Sequence, residues 1–158
     1  MARAKKPPPS THDEFVFWVR RPSIYYNFSF QHQRGEDDPY TERMSLTFAV
    51  ECLCPDRVKG RAADAHFFPD DKLANGSKYR ERKPDGPVRV LGSILVGKER
   101  FDVGGSLPPE MLWRIASAMA DGTITSMSMG GNWIKRGHAH ITSISFHGPE
   151  FDPVAYIG

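Results

Sequence analysis

The chain has 158 residues, of which 39% are hydrophobic and 25% are charged, and its formal net charge at pH 7 is +2. This length fits one domain with its own core, and the composition is that of an ordinary globular protein. The small charge does not require a nucleic-acid partner, and no stretch approaches the roughly 18 apolar residues of a membrane-spanning helix, so we expect no membrane partner.

Residues 1–13 are predicted to form a basic, proline-rich tail, and residues 14–158 a single β-rich globular domain. Three consecutive prolines, Pro7 to Pro9, favour an extended backbone. No apolar segment follows the basic N-terminus, so the tail lacks the pattern of a secretory signal. Cys52 and Cys54 are the chain's two cysteines. Two residues apart on a strand they are expected to share a face, and they do not form a disulfide framework, so we expect a cytoplasmic location.

The first half of the chain is predicted to form strands. Residues 15–19 are apolar on both faces, which favours a strand covered on both sides, and Arg20-Arg21-Pro22 is expected to end it. Residues 24–32 alternate as a second strand, and residues 33–40 form a polar loop. The clearest alternation follows at 43–53, where every second residue from Met44 to Cys52 is apolar. This pattern predicts the central strand of a sheet with one face in the core.

The second half is predicted to contain shorter strands and one helix. Strands are expected within 57–68, at 88–96 and at 101–103, with a surface loop at 69–87. Gly104-Gly105-Ser106 is expected to be a plain turn, because the two following prolines remove donors that an anion-binding helix start needs. Residues 108–121 carry an apolar stripe ended by Gly122, which predicts a helix.

Two final strands, at 123–130 and 138–147, are expected to form a hairpin around 133–137. Seven or eight strands and one helix near 108–121 predict a mainly β (α+β) fold. The expected architecture is an antiparallel β-sandwich or a partly open β-barrel, with the helix covering one face or end.

A histidine pair is the strongest candidate for metal chemistry. His138 and His140 are two residues apart on a predicted strand, so both imidazoles point the same way. Such pairs supply ligands for divalent transition metals in β-barrel sites, and folding could add His66. The alternative is two polar histidines near the start of a strand.

Basic and aromatic residues suggest a second kind of site. Arg61, Tyr79, Arg80 and Arg82 lie in the basic segments 57–61 and 78–83, where arginine could hold phosphate and tyrosine could stack on a base. Because acidic residues are interspersed, a solvated mixed-charge loop is the alternative. Trp133, beside glycines and basic residues, could line a ligand or partner site, or it could close one end of a barrel.

No catalytic motif is present, since the sequence contains neither Gly-x-Ser-x-Gly nor His-Glu-x-x-His. We therefore expect a non-enzymatic β-rich binding or assembly module that self-associates or binds a protein or small molecule. Two alternatives stay open. One is a metal-dependent β-barrel enzyme using His138 and His140, and the other is a weak nucleic-acid-binding module using the two basic segments.

Overall fold

A computed structural model describes residues 12–30, 40–70, 90–132 and 136–157 of the chain. These residues form seven strands and two α-helices. The elements are β1 (His12–Phe30), β2 (Tyr40–Cys54), β3 (Ala62–Pro69), β4 (Gly92–Val96), β5 (Phe101–Leu107), α1 (Pro109–Ala120), β6 (Ser126–Asn132), β7 (His138–His147) and α2 (Pro153–Ile157).

The seven described strands close into one barrel in the order β1-β2-β3-β5-β4-β7-β6. The pair β3 and β5 is parallel, and the other neighbours are antiparallel. The mainly β fold with one main helix is therefore confirmed, and the barrel is closed. We call the end that carries α1 the helix end, and the end that carries the β4–β5 turn at 97–100 the turn end.

The predicted central strand lies within β2, and its alternation is confirmed. Leu46, Phe48, Val50 and Cys52 are buried inside the barrel, while the residues between them face outward. On β3, the side chains of Ala65 and Phe67 are buried in the same way. Because side chains alternate along every strand, each strand contributes one row to the core and one to the outer surface.

The prediction that the first strand ends at Arg20-Arg21-Pro22 is wrong. β1 continues to Phe30, and its pairing with β2 is interrupted by an irregularity between Arg20 and Ser23. Arg21 has a φ of 54°, the left-handed conformation that local bulges impose. Pro22 is therefore accommodated in a bulge, and β1 continues as one long strand.

The interior of the barrel is filled by large side chains. Phe48 and Phe67 stack with their ring centres 5.5 Å apart, and Phe146 approaches both rings edge-on at 6.3 and 6.2 Å. Phe15 and Phe17 of β1 are also fully buried. Since aromatic rings bury large apolar areas, this cluster supplies much of the core.

The helix predicted near 108–121 is confirmed as α1. Pro109 lies in its first turn and Glu110 complements the positive end of the helix dipole. Leu112, Ile115 and Met119 form the buried stripe. Gly122, at φ +80°, has the expected left-handed conformation after the last turn.

Residues 148–157 cover part of the outer surface of the barrel. The hydroxyl of Tyr156 donates a hydrogen bond to a carboxylate oxygen of Glu14 at 2.8 Å. The ring of Phe151 stacks on His147 with a centroid distance of 4.1 Å. Val16, on the outer face of β1, is 1% exposed. The expectation that residues 15–19 are covered on both faces is thus confirmed at Val16.

Two further predictions are corrected. The segment 57–68 begins with a short 3-10 helix at Asp56–Val58 and becomes a strand only at Ala62. Gly104-Gly105-Ser106, expected to be a turn, lies inside β5. The polar loop expected at 33–40 and the surface loop expected at 69–87 fall mostly outside the described residues.

Candidate functional site

Five residues from five neighbouring strands form a row across the outer surface of the barrel. The strand register pairs Thr47 with His66, His66 with Gly104, Gly104 with Ser93, and Ser93 with His140. Their neighbours along each strand are directed to the interior, so alternation turns the whole row outward. Two small residues therefore lie between two histidines.

This row crosses a shallow groove with a volume of about 490 Å³. We call it the histidine groove, and its main lining residues are His66, Phe68, Ser93, Gly104, His138 and His140. One wall belongs to β3, the other to β7, and β5 and β4 form the floor between them. The three histidines predicted as candidate metal ligands thus line one surface feature.

Two glycines shape the floor of the histidine groove. A Cβ atom at Gly104 would lie 2.9 Å from the carbonyl oxygen of His66, closer than real Cβ contacts. A Cβ atom at Gly105 would lie 2.9 Å from Cε1 of Phe67 on the core side. At Gly104 and Gly105 the space beside β5 holds no side chain, so the floor of the groove stays low between the walls formed by β3 and β7.

His138 and His140 lie side by side on the outer face of β7. Between and beyond them, Ala139 and Ile141 are fully buried, so the two imidazoles face away from the interior. Their ring centres are 4.5 Å apart and the ring planes are inclined by 40°. The predicted common direction of the two side chains is confirmed, and it is outward.

His66 occupies the opposite wall of the groove. One of its ring nitrogens, Nδ1, lies 3.2 Å from Oγ1 of Thr47. Three strand spacings separate β3 from β7, which places the backbones of His66 and His140 about 14 Å apart along the sheet. Within the described residues, no group of three or more His, Cys, Asp or Glu side chains is placed to hold one metal ion.

Arg61 is held by the turn between β4 and β5. Its guanidinium donates hydrogen bonds to the carbonyl oxygens of Gly97 at 2.8 Å and Arg100 at 3.0 Å. It also lies over the ring of Phe101, 5.2 Å from the centroid. These contacts give Arg61 a structural role at the turn end of the barrel.

The turn end gathers basic side chains from three segments. Arg61 ties its own segment to the β4–β5 turn, and the amide of Val96 donates to the carbonyl oxygen of Gly137, which brings the start of β7 alongside. We call this set the basic rim, and it consists of Arg57, Lys59, Arg61, Lys98, Arg100 and Arg136. Asp56, Glu99 and Asp102 lie in the same segments, and Asp102 forms an ion pair with Arg100.

Four candidate residues lie outside the described residues. These are Tyr79, Arg80, Arg82 and Trp133. The stacking and phosphate-binding roles of the first three, and the role of Trp133 in lining a ligand or partner site, stay predictions.

The two cysteines do not share a face, contrary to expectation. A register shift pairs Phe17 with Cys52 but Val16 with Cys54, so Cys52 points inward and Cys54 outward. Cys52 is fully buried and its thiol donates to the carbonyl oxygen of Cys54 at 3.1 Å. Burial raises the pKa of the Cys52 thiol to about 12, which favours the neutral thiol over the reactive thiolate at neutral pH.

Two outer-surface features were missed in the sequence. A hollow of about 160 Å³ is lined by Trp18, Arg20 and Arg21 near the β1 bulge. Separately, Oγ of Ser128 lies 2.9 Å from Nε2 of His147. No sequence signal indicated either feature, because the hollow depends on the bulge and the Ser–His pair depends on the β6–β7 register.

No protein-family model, curated protein or solved structure matches this chain. In the part of the chain that the structure describes, no helix is long and apolar enough to cross a membrane.

Proposed function

We propose that this protein is a non-enzymatic binding module whose ligand lies in the histidine groove. The observation that carries the proposal is the outward row in which Gly104 and Ser93 separate His66 from His140. Large side chains fill the barrel interior, whereas the groove offers about 490 Å³ at the surface. A surface site of this volume reaches the size range of small-molecule pockets.

The side chains around the groove indicate the chemistry of the ligand. The imidazoles and the hydroxyls of Ser93 and Ser106 supply hydrogen-bond donors and acceptors. Phe68 is 54% exposed and Val90 is 48% exposed, so apolar surface is available beside them. A ligand with a flat ring and a hydrogen-bonding edge fits this combination and the low floor.

The test uses three neutral probes in NMR titrations of the full chain. We expect adenosine, which has a flat ring and a hydrogen-bonding edge, to shift the amide signals of Ser93, Gly104 and His140. Indole should bind more weakly because it has one polar group, and inositol, which has no flat ring, should leave the signals unchanged.

Two tryptophan variants, one that fills the groove and one that leaves it open, provide the matched comparison. Ser93→Trp should abolish the shifts, because its side chain projects from the floor, while Ser145→Trp places the same ring on an exposed position of β7 outside the groove. Shifts that persist in Ser93→Trp, or no shift with either ring-bearing probe at millimolar concentration, would refute the proposal.

The basic rim favours single-stranded nucleic acid as a second candidate ligand. It brings six cationic and three acidic residues to the end of the barrel where His138 begins β7. Bases could stack in the histidine groove while phosphates contact the rim. The basic segment 57–61 thus gains neighbours at 98–100 and 136 that the sequence did not connect to it.

Fluorescence anisotropy with a labelled oligo-dT tests this candidate. Affinity should fall several-fold between about 50 and 200 mM salt, because bound phosphates release counterions. Combined Lys59→Ala, Lys98→Ala and Arg136→Ala should weaken binding and reduce the salt dependence. Arg43→Ala, an exposed substitution on the β1–β2 hairpin near the helix end, is the control. Salt-independent binding would exclude this candidate.

We further propose self-association and a cytoplasmic location. Tyr26 and Trp113 are about half exposed and lie 6.4 Å apart at the helix end, which supports a contact surface between copies. In the described part of the chain neither Cys52 nor Cys54 forms a disulfide, which supports a reducing compartment. Light scattering should show a dimer or larger species that Trp113→Lys disrupts.

The metal-dependent enzyme has less support as a function, because the side chains of His138 and His140 face outward from a barrel whose interior is filled.

A further inference from the structure

We propose that His138 and His140 together bind one divalent transition-metal ion on the outer surface of β7. The inference goes beyond the proposed function, because this site does not depend on an organic ligand in the groove. The class of metal is Cu²⁺, Ni²⁺ or Zn²⁺, for which imidazole nitrogen is a preferred ligand.

The spacing of the two rings matches chelation of a single ion. An ion about 2 Å from one nitrogen of each ring, at an angle between 90° and tetrahedral, places the ring centres about 4.5–5 Å apart. The observed separation is 4.5 Å. Two imidazoles therefore reach one ion without a change in the β7 backbone.

The backbone of the pair is held by pairing with β4 and by the burial of the residue between the two histidines. Ser93 pairs with His140 and Leu95 pairs with His138 across β4, and the intervening Ala139 is buried. Because the backbone is fixed by this ladder, little conformational entropy is lost when the rings converge on an ion.

The surroundings leave the other coordination positions of the ion open. Within the described residues no third His, Cys, Asp or Glu completes a metal-binding group with the pair, and water would fill the remaining positions. Affinity should therefore be moderate and should follow the order Cu²⁺ above Ni²⁺ and Zn²⁺. Mg²⁺ and Ca²⁺, which prefer oxygen ligands, should not bind.

Calorimetric titration of the untagged full chain with NiCl₂ and ZnCl₂ is the main test. We expect one ion per chain, held by one nitrogen of each imidazole. His138→Ala and His140→Ala should each weaken binding at least about tenfold, because one ligand remains. His140→Gln, which keeps a polar surface, should behave like His140→Ala.

Two controls separate this pair from other histidines. His66→Ala and His147→Ala should leave the affinity unchanged, since neither ring lies beside the pair. Ser93→His should bind Zn²⁺ about tenfold more tightly, because the strand register places a third imidazole directly opposite His140. The amide spectra of all variants should retain the pattern of the folded barrel.

Several results would overturn the inference. One is stoichiometric binding that survives the double substitution of His138 and His140, which would place the ion elsewhere. Another is no binding of Ni²⁺ or Zn²⁺ at about millimolar concentration in a protein shown to be folded. An unchanged Zn²⁺ affinity in Ser93→His would contradict a metal position beside His140, opposite residue 93.

Discussion

Gly104 of β5 lies directly beside His66 of β3, and a Cβ atom added to Gly104 would be 2.9 Å from the His66 carbonyl oxygen. This contact joins the parallel pair in the described barrel and keeps the floor of the histidine groove low. The close approach of two backbones leaves room for hydrogen but not for a methyl group.

Gly104→Ala is therefore expected to lower the free energy of unfolding by about 1–3 kcal/mol, the usual cost of overpacking. Urea denaturation followed by circular dichroism measures the change. Ser93→Ala, in the next strand of the same row, is the control and should stay within about 0.5 kcal/mol. Equal stability of the two variants would show that β3 and β5 can move apart without cost.

Phe48→Ala should cost about 3–5 kcal/mol, because it removes a ring that stacks on Phe67 and leaves a cavity in the filled interior. Ala49→Ser changes the next residue, which faces outward, and should have an effect within about 0.5 kcal/mol. The stability changes of both variants are measured from their denaturant midpoints, provided that the slopes of the transitions are unchanged. A small effect of Phe48→Ala would mean that neighbouring side chains collapse into the space.

The two cysteines should react at different rates with a thiol reagent. Burial raises the pKa of Cys52 to about 12, so its thiol stays neutral and shielded at pH 8, while Cys54 is half-buried on the outer surface. We expect one fast thiol in the folded protein and two in urea. Cys54→Ser should remove the fast phase, and a fast phase that remains would show that Cys52 is accessible.

The same thiol should make stability depend on alkaline pH. A pKa raised in the folded state stabilises the fold below the unfolded-state value near 9, and this contribution is lost as pH rises towards about 12. The loss of stability above about pH 9 should be smaller in Cys52→Ala than in the original protein, because other alkaline titrations are common to both. Parallel pH profiles would contradict the assignment.

Phe151→Ala should loosen residues 148–157 from the barrel. The stacked pair with His147 is worth about 0.5–1.5 kcal/mol, so opening of this segment should increase about two- to tenfold. Limited proteolysis within the segment measures the opening. Val154→Ala, at a position that is 61% exposed, should be cleaved at the original rate.

The spacing of apolar residues along the sequence was enough to predict much of the local structure. Alternation from Met44 to Cys52 fixed which side chains of β2 enter the core, and the stripe through Leu112, Ile115 and Met119 located α1. In both cases the hydrophobic pattern and the local backbone signals agree. Such segments need no knowledge of their distant neighbours.

Other features depended on tertiary context that the sequence does not display. Arg20-Arg21-Pro22 has the composition of a strand end, yet pairing with β2 on both sides carries β1 through a bulge. Gly104-Gly105-Ser106 resembles a turn, but the glycines serve close packing inside β5. Local propensity is overridden where neighbouring strands fix the backbone.

The histidine groove could be predicted only in part. The common direction of His138 and His140 follows from their spacing, whereas their position outside the barrel required the burial of Ala139 and Ile141. The position of His66 on the opposite wall of the groove depends on the strand order β3-β5-β4-β7, which differs from the order of the strands along the chain. No pattern in the sequence identifies that order.

The pairing of β1 with β6 joins segments from opposite ends of the described chain. Closing the barrel therefore requires contacts between residues far apart in sequence, which predicts slow folding for a domain of this size. Until β6 and β7 are in place, β1 and β4 each expose an unpaired edge that can pair with another chain. During synthesis these two edges are consequently the places where the growing protein most needs protection from aggregation.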